Sequence, residues 1–142
     1  MYVVDLPEPN VAPVVNVYRA VNDNDLEAFI DLMHPEVELL TSGAYPDFRR
    51  VYRGREGAAA YWQAARGLWD NFEIEIKSAE PVGGRVLVLL DQHVEGREGI
   101  EVHHQWGHLF ELEDGRIRRV TAYDCWEAAT EAARAESRVG GV

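Results

Sequence analysis

Residues 100–123, IEVHHQWGHLFELEDGRIRRVTAY, decide the fold. The pair Asp114–Gly115 divides them into two runs, Ile100 to Leu112 and Arg116 to Tyr123, and an Asp-Gly between alternating apolar runs is a strong hairpin signal. Within the first run His104, Trp106, His108 and Phe110 share one side, and His103, Gln105, Gly107 and Leu109 share the other, because successive strand side chains point to opposite faces. Two imidazoles on a face of large aromatic residues mark it as the wall of a ligand cavity.

Working outward, Phe72 to Ala79 and Arg85 to Val94 also read as strands, separated by the turn PVGG and followed by EGREG. Four consecutive strands predict an antiparallel meander. Before them the period changes. Val14, Val17, Tyr18 and Val21 recur at helical spacing, with Pro13 in the first turn, where a missing N–H costs little. Asn24 with Glu27 forms a capping box for a short second helix carrying Leu26, Phe29, Ile30 and Met33, which ends before Pro35. Val37 to Thr41 reads as a strand, and the loop SGAYPDFRR after it is long enough to be a lid or a cavity rim. Gly54 opens a third helix with the apolar face Ala58, Tyr61, Trp62, Ala65, Leu68 and Trp69. Asp124 with Glu127 forms a second capping box that opens a short C-terminal helix. Helices segregated from a run of strands define an α+β class, with a curved sheet whose concave face the helices cover. The expected division is an arm over 1–11, one domain over 12–135 and a flexible tail over 136–142.

Composition narrows the function classes. A chain of 142 residues, 46% hydrophobic, builds one core without disulfide or metal staples. A net charge of −11 repels phosphate backbones, which argues against a nucleic-acid partner. No run approaches the ~18 apolar residues of a membrane span, and MYVVDLPEPN lacks the basic and apolar regions of a secretory signal, so a cytoplasmic location without a membrane partner is expected. Cys125 is the only cysteine, which excludes an internal disulfide and leaves it a structural reading. A metal site in HHQWGH fails on geometry. His103 and His104 point to opposite faces, and His104 and His108 lie ~13 Å apart along a strand at ~3.3 Å per residue. The two inward histidines are therefore separate cavity groups. Asp91 interrupts the apolar run VLVLL, and a hairpin closing at EGREG puts it opposite residues 104–106. An Asp91–His104 contact would orient an imidazole as a general base.

Three segments carry a resemblance: YRAVNDNDLEAFIDLMHPEVEL, VYRGREGAAAYW and HLFELEDGRIRRVTAYDCWEAATEAA. In these the chain is similar to the nuclear transport factor 2-like superfamily, and within it to the SnoaL-like group of ketosteroid isomerases, limonene epoxide hydrolases and polyketide cyclases. The resemblance implies a cone-shaped half-barrel. Its strongly curved antiparallel or mixed sheet has three helices of the N-terminal half over the concave face, a short C-terminal helix, a mainly apolar cavity, and commonly a homodimer through the outer sheet face. Mapped residue by residue, the ketosteroid isomerase tyrosine falls at Val17, with Tyr18 one residue out of register. The base of that enzyme falls at Thr41 and its oxyanion acid at His108. The limonene epoxide hydrolase residues fall at Leu89, Asp91 and Thr121. Neither set is complete, yet both place 89, 91, 108 and 121 on the cavity face.

These readings predict a hydrophobic small-molecule ligand, with Asp91, His104 and His108 as acid/base or oxyanion groups. Tyr18, Thr41, Trp62, Leu89, Trp106, Arg119, Thr121 and Tyr123 are the expected ligand-binding wall. The chemistry expected is isomerase, cyclase or hydrolase type, with no metal and no organic cofactor. The alternative is a non-catalytic ligand-binding or protein-interaction module.

Overall fold

The structure, a computed structural model, describes residues 10–43, 48–68, 71–96 and 99–140. Ten elements follow one another: α1 (Val11–Asn22), α2 (Leu26–Asp31), β1 (Met33–Leu40), β2 (Val51–Arg53), α3 (Gly54–Leu68), β3 (Asn71–Val82), β4 (Arg85–Glu95), β5 (Glu101–Glu113), β6 (Arg116–Tyr123) and α4 (Trp126–Gly140). They build an α+β cone-shaped half-barrel. The six strands lie in the order β2-β1-β6-β5-β4-β3, with β3 to β6 the expected meander and β1 inserted parallel to β6. Register shifts between Ile76 and Ser78 and between Glu111 and Leu112 leave an unpaired residue, which bends a strand and tightens its twist. Such bends help the sheet to curl around a cavity.

Helices α1 to α3 cover the inside of the curl. Val14, Val17 and Tyr18 of α1, Phe29 of α2 and Trp62 of α3 join Val86, Val88, Leu90, Trp106 and Phe110 of the sheet in one buried cluster. Two side-chain clamps fix the helices on the sheet. Asn22 accepts from the Ile74 N–H at 2.7 Å and donates to its carbonyl at 2.8 Å, occupying backbone groups of the edge strand β3 that would otherwise be open. Arg55 donates twice to the Met33 carbonyl, at 3.1 and 3.0 Å, tying the start of α3 to β1.

The C-terminal helix lies on the opposite face. Ala129 and Ala133 of α4 are fully buried with Leu87 and Leu109, which point away from the cavity. A Cβ at Gly107 would collide with the Ala129 methyl, so a glycine here lets α4 approach β5 closely. Burial on both faces also explains VLVLL: inner residues and outer residues of β4 are apolar for different reasons.

Several boundaries differ from the sequence reading. The cap of α2 is Asp25, whose side chain accepts from the Ala28 N–H at 3.0 Å, while Asn24 adopts the left-handed conformation at φ 55°. Met33 starts β1 instead of ending α2. The α4 opening falls at Cys125, whose sulfur accepts from the Ala128 N–H at 3.4 Å, and not at Asp124. That helix is fifteen residues long and reaches Gly140, into the span expected as a tail. Residues 1–9 of the expected arm, the centre of the 42–50 loop and Trp69 lie outside the described residues. Among the described residues, no helix is long and apolar enough to cross a membrane.

Candidate functional site

The curl encloses a pocket of about 140 Å³ whose wall is mostly apolar. A cavity of ~150 Å³ holds a benzene molecule, so at least one ring fits inside. Its polar groups are few. At its centre the Tyr18 hydroxyl and His108 Nδ1 are hydrogen-bonded at 2.6 Å. The two rings lie within 7° of parallel, and Phe110 closes edge-on against both. Tyr18 comes from α1, whose apolar stripe turns it inward, and His108 from β5, whose alternation does the same.

Burial dictates the protonation of this pair. Loss of water pushes His108 down to about 4, so its imidazole is neutral at pH 7. The same burial, with Tyr61 as a lesser cause, raises Tyr18 well above the ordinary phenol value and keeps it protonated. A neutral pair has two arrangements. Either Tyr18 donates to Nδ1 and Nε2–H is the free donor, or Nδ1–H donates to the Tyr18 oxygen and leaves the phenol O–H as donor and Nε2 as acceptor. Passing between them relays a proton across the pocket.

A second polar point lies on the same wall. Trp106 Nε1 donates to Gln92 Oε1 at 2.6 Å, which directs the Gln92 amide nitrogen to remain a donor. Arg66 of α3 is the one cation among the described lining residues, and no described lining residue is an aspartate or glutamate.

Of the sequence-derived candidates, Tyr18, Thr41, Trp62, Trp106 and His108 line this pocket. Five others do not. In the β4–β5 register Val88 pairs with His108 and Leu90 with Trp106, so Leu89 and Asp91 point to the outer face, opposite to the expected placement. Leu89 packs under α4, and Asp91 faces the Lys77 ammonium at 3.6 Å. Asp91 does stand beside Gln105, inside the expected 104–106 span, but on the face away from His104. In β6 the residues paired with His108 and Phe110 are Ala122 and Val120, which turns Arg119, Thr121 and Tyr123 outward as well. Arg119 there binds Glu38 at 2.8 Å, and Tyr123 packs against the cluster under α4. His104 has the inner parity, with its ring 4.3 Å from that of Trp106, but its Nε2–H donates to the Asp124 carbonyl at 2.9 Å and it is not part of the lining. The sequence reading passed over Gln92 and Arg66. Arg66 stood four residues after Trp62 on the apolar face of a helix, a position where a cation is out of place.

Glu75, Asp91 and His93 on the outer face bring ligand atoms within 4.8 Å of one another. Lys77 already sits there, 3.3 Å from Glu75 and 3.6 Å from Asp91, and supplies the positive charge such a cluster calls for.

Comparison with known proteins places this geometry. The SnoaL-like domain family matches residues 14–120. The chain belongs to that family. No curated protein matches it. Among solved structures, this SnoaL-like protein is similar to TerC co-crystallised with polyporic acid, at 19% identity and a TM-score of 0.77 over 89% of this chain and 99% of that one. It is also similar to a SnoaL-like polyketide cyclase described for Jannaschia sp., at 17% identity and a TM-score of 0.71 over 88% and 91% of the two chains. A Δ5-3-ketosteroid isomerase from Mycobacterium sp. matches at 20% identity and a TM-score of 0.70 over 82% and 93%. At these identities the likeness shows the nuclear transport factor 2-like fold.

Proposed function

We propose that this SnoaL-like protein takes a hydrophobic, oxygen-bearing small molecule into the concave pocket and moves a proton on it, as an isomerase, cyclase or hydrolase needing no metal or organic cofactor. The observation that carries the reading is the Tyr18–His108 hydrogen bond in a mostly apolar wall. Each partner of that bond keeps further hydrogen-bonding capacity, a donor or acceptor that a ligand oxygen can meet. In the arrangement with Nδ1–H donating to Tyr18, the phenol O–H donates to a carbonyl oxygen of the ligand, while Nε2 accepts a proton from the carbon beside it. The enolate formed is held by the phenol, and the imidazolium returns the proton at a second carbon or to a leaving oxygen. A base at about 4 is weak, so the C–H must be acidified by flanking carbonyls or by conjugation. The relatives crystallised with polyporic acid or described as a polyketide cyclase are in keeping with such ligands.

The test is a screen of lactones, epoxides, β,γ-unsaturated ketones and 1,3-diketones with the wild type, Tyr18→Phe and His108→Gln. Turnover is expected to fall ~10²-fold or more in each variant, the usual size of a general acid–base effect. Equal rates in all three proteins would leave a binding module, the reading favoured by the absence of a carboxylate among the described lining residues. We further propose a homodimer through the outer face, where Ile100 is 61% exposed at the β4–β5 turn. Native mass spectrometry checks it.

A further inference from the structure

We propose that the ligand of this pocket is an amphipathic organic acid, whose apolar ring body fills the cavity and whose carboxylate pairs with Arg66. The inference rests on the ligand-binding reading above and names the class of molecule that reading left open.

Three observations converge on it. The chain holds 25 acidic residues against 14 lysines and arginines, yet among the described lining residues the cavity has Arg66 and no acid. The pocket is a positive point in a negative protein. Next, Arg66 is half-buried and no carboxylate pairs with it among the described residues. Its guanidinium lies 5.1 Å over the Trp62 ring and 4.9 Å over the Phe72 ring, and one N–H donates to the Val21 carbonyl. Five N–H groups make up a guanidinium, so Val21 leaves donors for a planar anion, which arginine binds as a two-pronged fork. Burial lowers the Arg66 pKa, and no negative charge among the described residues offsets it. A partly desolvated cation without a counter-charge is unfavourable, and an incoming carboxylate removes that cost. Last, Val21 lies three residues beyond Tyr18 on α1, a rise of ~4.5 Å along the helix. Arg66 therefore meets α1 about one turn beyond Tyr18, and it lines the same pocket as the Tyr18–His108 pair. One molecule then presents its acid to the guanidinium and its carbonyl or hydroxyl to the pair, which fixes its direction in the pocket.

Arg66 also holds the last turn of α1 through Val21, so its removal has a structural effect that the test must separate. 2-Naphthoic acid and its methyl ester share one apolar body and differ in charge, and their affinities for the full chain are read by calorimetry at pH 7 and low salt. The wild type is expected to bind the acid at least tenfold more tightly than the ester. Arg66→Met should abolish that ratio, Arg66→Lys should retain part of it, and 1 M NaCl should shrink it in the wild type. A structural role alone would weaken acid and ester together and leave the ratio unchanged, which overturns the proposal. Equal affinities in the wild type overturn it too, while leaving the apolar pocket in place. Binding of neither probe removes the pocket reading and this inference together. Should Arg66→Met fail to fold, the Lys variant and the salt dependence decide.

Discussion

On the inner face of β4 and β5, Gln92, Trp106 and His108 are hydrogen-bonded among apolar neighbours. One residue along each strand, on the outer face, Asp91 meets the Lys77 ammonium, His93 meets the His103 ring, and His103 and Gln105 are exposed. Positions ~3.3 Å apart in the chain thus obey different electrostatics. Inside, His108 loses water and stays neutral, and its strength lies in a single directed hydrogen bond. Outside, Arg119 and Arg53 hold Glu38 below the usual carboxylate range, and Lys77 bridges Glu75 and Asp91, in pairs that water and salt screen. Polar groups therefore report function only when their face is known. The many acids of the outer sheet are ordinary solvated charges, and the one buried tyrosine–histidine pair is the exception.

Breaking the inner face should have the largest effect. Phe110, 1% exposed and packed against Tyr18 and His108, costs ~3–5 kcal/mol when replaced by Ala, measured by urea denaturation. A loss under 1 kcal/mol would mean that the cavity wall is already loose. The outer face under α4 is the next most sensitive. Gly107→Ala drives a methyl into Ala129 and should cost ~1–3 kcal/mol through overpacking, with Tyr18 and His108 undisturbed.

A smaller effect comes from pH. The unfolded imidazole takes up its proton near ~6.5, whereas folded His108 does so at about 4. Between those values the unfolded state binds more protons, so stability contributed by neutral His108 is full above ~6.5 and is lost as pH falls through the window. From pH 7 to pH 5 the wild type should lose up to ~2 kcal/mol more than His108→Gln, by denaturation at each pH. Parallel profiles would place His108 in water. The smallest effect belongs to Asp91→Asn, which removes one charge from a screened outer pair. Melting temperature and affinity for pocket ligands should both stay at wild-type values, and a drop in affinity would reopen Asp91 as a site residue.

The fold was legible because its signals are periodic. Alternation in 100–123, the 3.6-residue stripes of α1 and α3, and turns at PVGG and Asp114–Gly115 each specify an element locally. The inner wall of β5 was legible for the same reason: a strand with aromatics on one side and Gly107 on the other declares its faces. β4 declares nothing, because VLVLL is apolar on both sides, one set facing the cavity and the other facing α4. Its parity depends on the hairpin register, and an alignment one residue out of step turned Leu89, Asp91, Arg119, Thr121 and Tyr123 inward. Tyr18 and His108 were each picked out separately. Their pairing joins residues ninety positions apart and follows only from where α1 crosses the sheet.

The central claim is that the working group of this protein is a neutral His108 hydrogen-bonded to Tyr18 inside the cone. The most direct measurement is a long-range ¹H–¹⁵N NMR titration of the histidine side chains, with His108 assigned by its absence in His108→Gln. His108 should remain a neutral imidazole with an acceptor Nδ1 or a donated Nδ1–H down to a midpoint of about 4. A wild-type His108 that titrates near ~6.5 would contradict the account.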